Sequence, residues 1–215
     1  MVPKARMMRM AGQGLTMTDR TLIRGLAALL LITVASQVFY ITVVSGSDNE
    51  MLRPITWFTE LFAFSASVVF AHALSARRPL QAVVWSIIAL AGLLNVIQVA
   101  MGLSMFAPAM DAQEALPQLF AAILAGAFFF YFLAKLLLAA AAIMLGIGAL
   151  NAPGAIEKGA GALAALGGIA GVVFSFLAMT DSESWTFAAG AAGTAATALL
   201  ALVLLVGPVG RPQEG

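Results

Sequence analysis

The residues able to do chemistry in this sequence are few, and they stand inside runs that are otherwise soluble in lipid. Lys135 lies within "YFLAKLLLAAAAIMLG", and Glu60 lies within "TWFTELFAFSASVVF". A charge in such a run is costly unless it is paired or faces a wet cavity, so an ionisable residue there reads first as a functional group. Asn95 and Gln98, one helical turn apart, bring two amides to a third apolar run. Gln37 joins Thr33 and Tyr40 in an i, i+4, i+7 stripe, and Tyr131 precedes Lys135 by one turn of the same helix face. The candidate substrate-binding or ion-coupling set is therefore Glu60, Lys135, Asn95, Gln98, Gln37, Tyr131 and Tyr40. Glu60 fits a proton or cation acceptor, Lys135 its counter-charge or an anion anchor, and the amides neutral ligands.

Several chemistries are excluded by composition. The chain has no cysteine, which removes disulfides, thiolate metal sites and cysteine nucleophiles. His72 is the single histidine, and a lone imidazole builds neither a conventional metal site nor a paired haem ligation. No nucleotide-binding loop, zinc-protease motif or Ser-His-Asp set is present, and no basic, aromatic-rich surface for nucleic acid. Catalysis would fall to Glu60 and Lys135 alone.

The elements that must position these residues follow from a chain of 215 residues, 62% hydrophobic and 10% charged, with a mean hydropathy of +1.00. That composition lies outside the soluble range, and a lipid solvent is the one that accepts apolar side chains on every outward face. Six segments are long enough to cross roughly 30 Å of hydrocarbon, at about 25–45, 55–75, 80–105, 118–149, 159–179 and 185–207. None alternates in polarity as a membrane strand would. The expected fold is an all-α integral membrane protein, a six-transmembrane-helix bundle.

Lys4, Arg6, Arg9, Arg20, Arg24, Arg77, Arg78, Lys158 and Arg211 fall on one side of a six-span arrangement, and Arg53 alone on the other. Short cytoplasmic loops retain such residues, which places both termini in the cytoplasm and the chain in a bacterial-type inner (plasma) membrane. The opposite loops carry Asp48, Glu50, Asp111, Glu114, Asp181 and Glu183. The organisation is a basic cytoplasmic tail over 1–20, one transmembrane helical domain over 21–208 and a short cytoplasmic tail over 209–215. Val34-Ala35-Ser36 has the outline of a signal cleavage site. Apolar character continues through "VFYITVVSG", longer than a signal core, and favours a retained first span.

On this count Lys135 lies about 21 Å above the cytoplasmic boundary and Glu60 about 9 Å below Pro54, both in the outer half of the membrane. The first four spans thus share a polar layer, and the last two have none. A buried ion pair between Glu60 and Lys135 is the expected centre of that layer. Trp57, Trp85 and Trp185 lie near span ends and read as interfacial anchors. Gly167 and Gly171, with Ala189 and Gly193, have the spacing that lets helices approach closely. They fit packing between the last two spans, or docking of a homo-oligomer or a partner membrane subunit.

Two functions fit these residues. One is a small inner-membrane transporter or permeation protein whose site is the polar layer; the other is a non-transporting accessory subunit that holds a lipid, quinone or pigment. An intramembrane enzyme using Glu60 and Lys135 is a third. The topology is directly checkable, because native cysteine is absent. Ser47→Cys and Ser182→Cys should react with an impermeant thiol reagent added outside intact cells, and Ala76→Cys only after permeabilisation. Outside labelling of Ala76→Cys would reject the arrangement.

Overall fold

The computed structural model describes residues 17–207. Most of the expected basic tail and the whole 209–215 tail lie outside the described residues, and the first helix has already begun at Asp19. Six long helices account for nearly all of the described chain. They are α1 (Asp19–Phe39), α2 (Leu52–Arg77), α3 (Ala82–Asp111), α4 (Pro117–Leu150), α5 (Ala155–Thr180) and α6 (Ser182–Val206). There is no strand among the described residues. Each of the six is long and apolar enough to cross a membrane, which makes the architecture compatible with a multi-pass membrane protein. The outward faces agree, since large apolar side chains such as Phe62, Leu166 and Phe187 stand exposed along them.

Local chemistry sets the helix ends. Thr18 caps α1 by accepting a hydrogen bond from the Thr21 N–H, and Asp19 follows in the first turn, where negative charge suits the helix dipole. Pro79 opens the short 3-10 turn Pro79–Gln81 that leads into α3, and Pro117 opens α4; each sits where a missing N–H costs nothing. Pro108 lies in the last turn of α3, which ends at Asp111. Asp181 caps α6, and hydrogen bonds from Ser184 hold its carboxyl below the usual carboxylate range. The exception to regular geometry is one π-helical turn, Tyr40–Val44, continuing α1.

The helices pack as a ring with one member outside it. Helix α1 packs against α2, α2 against α3, α3 against α4 and α4 against α6; α6 returns to α1 and closes the ring. Helix α5 lies against the outer side of α4 and α6. The two ends of the bundle differ in charge. One, here the basic end, carries Arg20, Arg24, Arg77, Arg78 and Lys158; the acidic end carries Asp48, Glu50, Asp111, Glu114 and Asp181. At the basic end Asp19 clasps the turn between α2 and α3, meeting Arg78 at 2.9 Å and Arg77 at 3.6 Å.

The core of the basic half is apolar and draws on every helix. Leu22, Ile23, Leu26 and Leu30 of α1 meet Leu74 of α2, Trp85 and Ile88 of α3, Leu138 and Leu145 of α4, and Leu200 and Leu204 of α6. Trp85 is completely buried there, which corrects its reading as an interfacial anchor. It lies on the inward face of the first turns of α3, so closeness to a span end misled where helix face decides.

Helix α5 is seated by small residues. A Cβ on Gly146 would lie 2.6 Å from the Gly161 carbonyl oxygen, so α4 and α5 touch backbone to backbone at this point. Gly167 and Gly171 meet Leu199, Ala139 and Ala196 of the same chain, the close packing that their spacing suggested. Gly146→Leu should therefore lower stability in detergent by about 1–3 kcal/mol, through overpacking. Gly148→Leu, where a Cβ meets nothing within 4 Å, should stay within about 0.5 kcal/mol of the parent. Equal midpoints for the two variants in thermal unfolding would show that this contact does not form.

Candidate functional site

Lys135 is brought to the inside of the ring by α4, and none of its surface is exposed. Its stem has room because the facing position on α6 is glycine. A Cβ on Gly193 would lie 2.9 Å from Lys135 Cβ and 3.0 Å from its Cγ and Cδ. The ammonium then reaches across to α1, where Nζ donates to Gln37 Oε1 at 2.6 Å. Thr194 Oγ1 stands 3.5 Å from the same Nζ and donates to Gln37 Oε1 at 3.0 Å. Three helices are joined through one amide oxygen. The face of the Tyr131 ring completes the enclosure, with its centroid 5.4 Å from Nζ, a cation–π distance.

Glu60 faces the same interior from α2 and is 7% exposed. The nearby Ser36 hydroxyl of α1 donates to the Thr56 carbonyl, one turn before Glu60 on α2, at 3.5 Å. The expected ion pair between Glu60 and Lys135 is not made. The two described ion pairs both belong to Asp19 at the basic end, and the hydrogen bonds of Lys135 go to Gln37 and Thr194. The physical reason is reach. Gln37 of α1 and Thr194 of α6 present oxygens within hydrogen-bond distance of the ammonium, and the Glu60 carboxylate does not come within ion-pair distance of it.

The remaining candidates separate. Asn95 is wholly buried, with Nδ2 donating to the Ala91 carbonyl at 3.0 Å and Oδ1 without a hydrogen-bond partner. Gln98 is half-buried and takes no part in the Lys135 network among the described residues. Thr33 is buried but returns its hydroxyl to the Leu30 carbonyl. Tyr40 belongs to the π-helical turn and leaves the stripe, since its ring stacks on Trp57 at 6.2 Å.

That stacking extends into an aromatic tier above the polar layer. Trp57 of α2 meets Phe106 of α3 edge-on at 5.8 Å, and Phe106 meets Phe120 of α4 at 5.6 Å. The tier thus takes one ring from each of four consecutive helices, on the acidic-end side of Gln37, Glu60 and Lys135. Trp57 serves here as a packing partner. Trp185 is half-buried against Phe174 at 5.8 Å, near the start of α6.

Thr194 and Ser36 were not among the residues singled out from the sequence. The statement that the last two spans add nothing polar to the layer is corrected by Thr194. A short hydroxyl in an Ala- and Gly-rich helix reads as packing, because its polarity is normally absorbed by its own backbone. The available signal was its place directly after Gly193, within the four-residue repeat of Ala189, Gly193 and Thr197. His72 is exposed near the basic end of α2.

In chemical terms the arrangement presents a fixed cation with a neutral acceptor, a hydroxyl and an aromatic face, and an acid at a short remove. It can hold an anionic group at Lys135 and accept or release a proton at Glu60. The described residues hold no group of three or more metal-ligating side chains. The chain matches no family model, no curated protein and no solved structure.

Because Lys135 and Gln37 meet in a dry interior, their truncations should not add. Lys135→Met and Gln37→Leu should show a coupling of about 1–3 kcal/mol in a double-mutant cycle of unfolding in detergent. Additivity within about 0.5 kcal/mol would mean that the ammonium finds its acceptor elsewhere.

Proposed function

We propose that this is a multi-pass membrane transport protein whose solute site is the polar layer around Lys135, with Lys135 as the anchor for an anionic group and Glu60 as a coupled proton acceptor. One observation carries the reading. A fully buried ammonium is satisfied by two neutral oxygens while the buried carboxylate of Glu60 in the same interior makes no ion pair with it. Two opposite charges kept in one interior only to hold it together would attract most when in contact. Two charges held apart are able to take a solute or a proton between them. In this reading the basic end is cytoplasmic, the acidic end is external and the membrane is a bacterial-type inner membrane.

A second reading has an observation of its own in its favour. The apolar core of the basic half involves all six helices, and buried hydroxyls on that side of the layer, such as Ser67 and Thr197, are taken up by carbonyls of their own helices. That suits an accessory subunit that binds a small molecule, such as a lipid, quinone or pigment, without passing it on. Docking of a second copy or of a partner subunit belongs to this reading. Of the four small residues named for it, Gly171, Ala189 and Gly193 are buried inside the chain and Gly167 is covered by Leu199. An intramembrane enzyme has no added support from the geometry.

Reconstituted vesicles distinguish the two readings. With chloride uptake followed by lucigenin quenching and proton uptake by pyranine, the intact chain should carry flux, and Lys135→Met should lower it at least tenfold. Glu60→Gln should uncouple proton from anion movement. Equal flux in Lys135→Met and the parent would remove Lys135 from the pathway, and absence of flux from the intact chain would favour the binding subunit.

A further inference from the structure

The polar layer is closed on both sides, but the cover thins to a single turn only beside α1 and α2 at the acidic end. Towards the basic end the apolar core begins at Leu138, one turn from Lys135, and continues to Leu145, about 15 Å of helix from the ammonium. Leu30, Leu26 and Leu22 match that depth along α1, and Leu200 and Leu204 along α6. Moving a charged group through this core would require separating all five ring helices over several turns. Towards the acidic end the cover is the aromatic tier. On α1 and α2 the tier is about 5 Å, or one turn, from the layer, since Tyr40 lies three residues beyond Gln37 and Trp57 three residues before Glu60; on α4 Phe120 lies about 22 Å from Lys135, and Phe128, Tyr131 and Phe132 fill the length between them.

The tier also rests on an irregular support. Tyr40 opens the π-helical turn, where the Ser45 N–H bonds to the Tyr40 carbonyl at 2.8 Å and the Tyr40 N–H is shared between the Ser36 and Gln37 carbonyls. A π turn is a wider, weaker form of helix that can revert to regular α geometry by passing its extra residue along, which turns the side chains beyond it. No equivalent irregularity interrupts the helices of the apolar core among the described residues. Helix α6 contributes no ring to the tier; its Trp185 packs against Phe174 of α5 instead.

We infer that the aromatic tier of Tyr40, Trp57, Phe106 and Phe120 is the gate of the polar layer, and that small anionic solutes reach Lys135 from the acidic end through it. The π-helical turn is the hinge that lets Tyr40 leave Trp57, and the α1–α2 side of the tier, one turn from Gln37 and Glu60, is where the path opens. This rests on the polar layer being the solute site, but it concerns the route and can be read without any flux.

The test uses the absence of native cysteine. Thr194→Cys places one thiol beside Lys135, and an anionic, impermeant methanethiosulfonate is applied to the full chain in vesicles. Ser47→Cys and Ala76→Cys identify which end of the protein faces the reagent. The Thr194→Cys thiol should react from the side on which Ser47→Cys reacts, at least tenfold more slowly than Ser47→Cys itself, and should not react from the Ala76→Cys side. Adding Trp57→Ala should speed that reaction at least tenfold. Phe106→Leu is a milder opening of the same tier and should give a smaller increase in the same direction, which covers the case of Trp57→Ala failing to fold. Reaction from the Ala76→Cys side, or a rate unchanged by opening the tier, would overturn the gate. So would a thiol that reacts only after denaturation in every background. If the labelling pattern holds while flux proves independent of Lys135, the transport reading falls and the tier stands as the entrance to a binding layer.

Discussion

An ammonium inside a ring of apolar helices has to be given oxygen acceptors, and in this chain they come from the two ends of the sequence. Gln37 and Thr194 are 157 positions apart and are joined by a hydrogen bond, with Lys135 donating to the same amide oxygen. Without α6 beside α1 the lysine would lose Thr194; without α4 between them the amide would lose its charged donor. The closure of the ring and the satisfaction of the charge are therefore one constraint. A charged donor to a neutral amide is stronger than a neutral pair, and a dry interior strengthens it further.

Small residues decide where that constraint can be met. Gly193 lets α6 approach α4 closely enough for the lysine stem to pass between them, and Gly146 against Gly161 sets α5 firmly on the outside of α4. Association of helices in lipid gains little from apolar burial, because lipid is as apolar as the side chains, so close backbone contact carries much of the specificity. The same absence of side chains that makes the last two helices look featureless in sequence makes them the mould for the charged one.

Much of the fold was legible because length and hydropathy are coarse, robust properties. The six segments coincide with six helices, though each runs a few residues further at one end or both, as caps such as Thr18 and Asp181 and helix-opening residues such as Pro117 extend them. The members of the polar layer were legible where a residue is polar enough to be anomalous, as Lys135, Glu60, Gln37 and Asn95 are. Their pairing was not. Which oxygen a lysine meets depends on the rotation of each helix and on the ring order, and neither is encoded in the spacing along one segment. Thr194 and Ser36 give no signal of their own, because hydroxyls are unremarkable in such helices. Closeness to a span end misplaces Trp85, because the helix face it lies on decides its burial. The aromatic tier was hidden for a related reason, since its four rings are individually ordinary and acquire meaning only in contact with one another.

Helix α4 has one further property, which comes from its length. Its 34 residues extend about 51 Å, and along that single rod lie Phe120 of the tier, Lys135 and Leu145 of the apolar core. Two-thirds of the way along and beyond, α4 bears on α5 at two points, where a Cβ on Gly168 would lie 2.6 Å from the Ala139 carbonyl oxygen and one on Gly146 would lie 2.6 Å from the Gly161 carbonyl oxygen. Two bearing points fix the direction of a rod as well as its position. The depth and facing of Lys135, one turn before Ala139, are thus set by α5, a helix that gives the ammonium no hydrogen bond of its own.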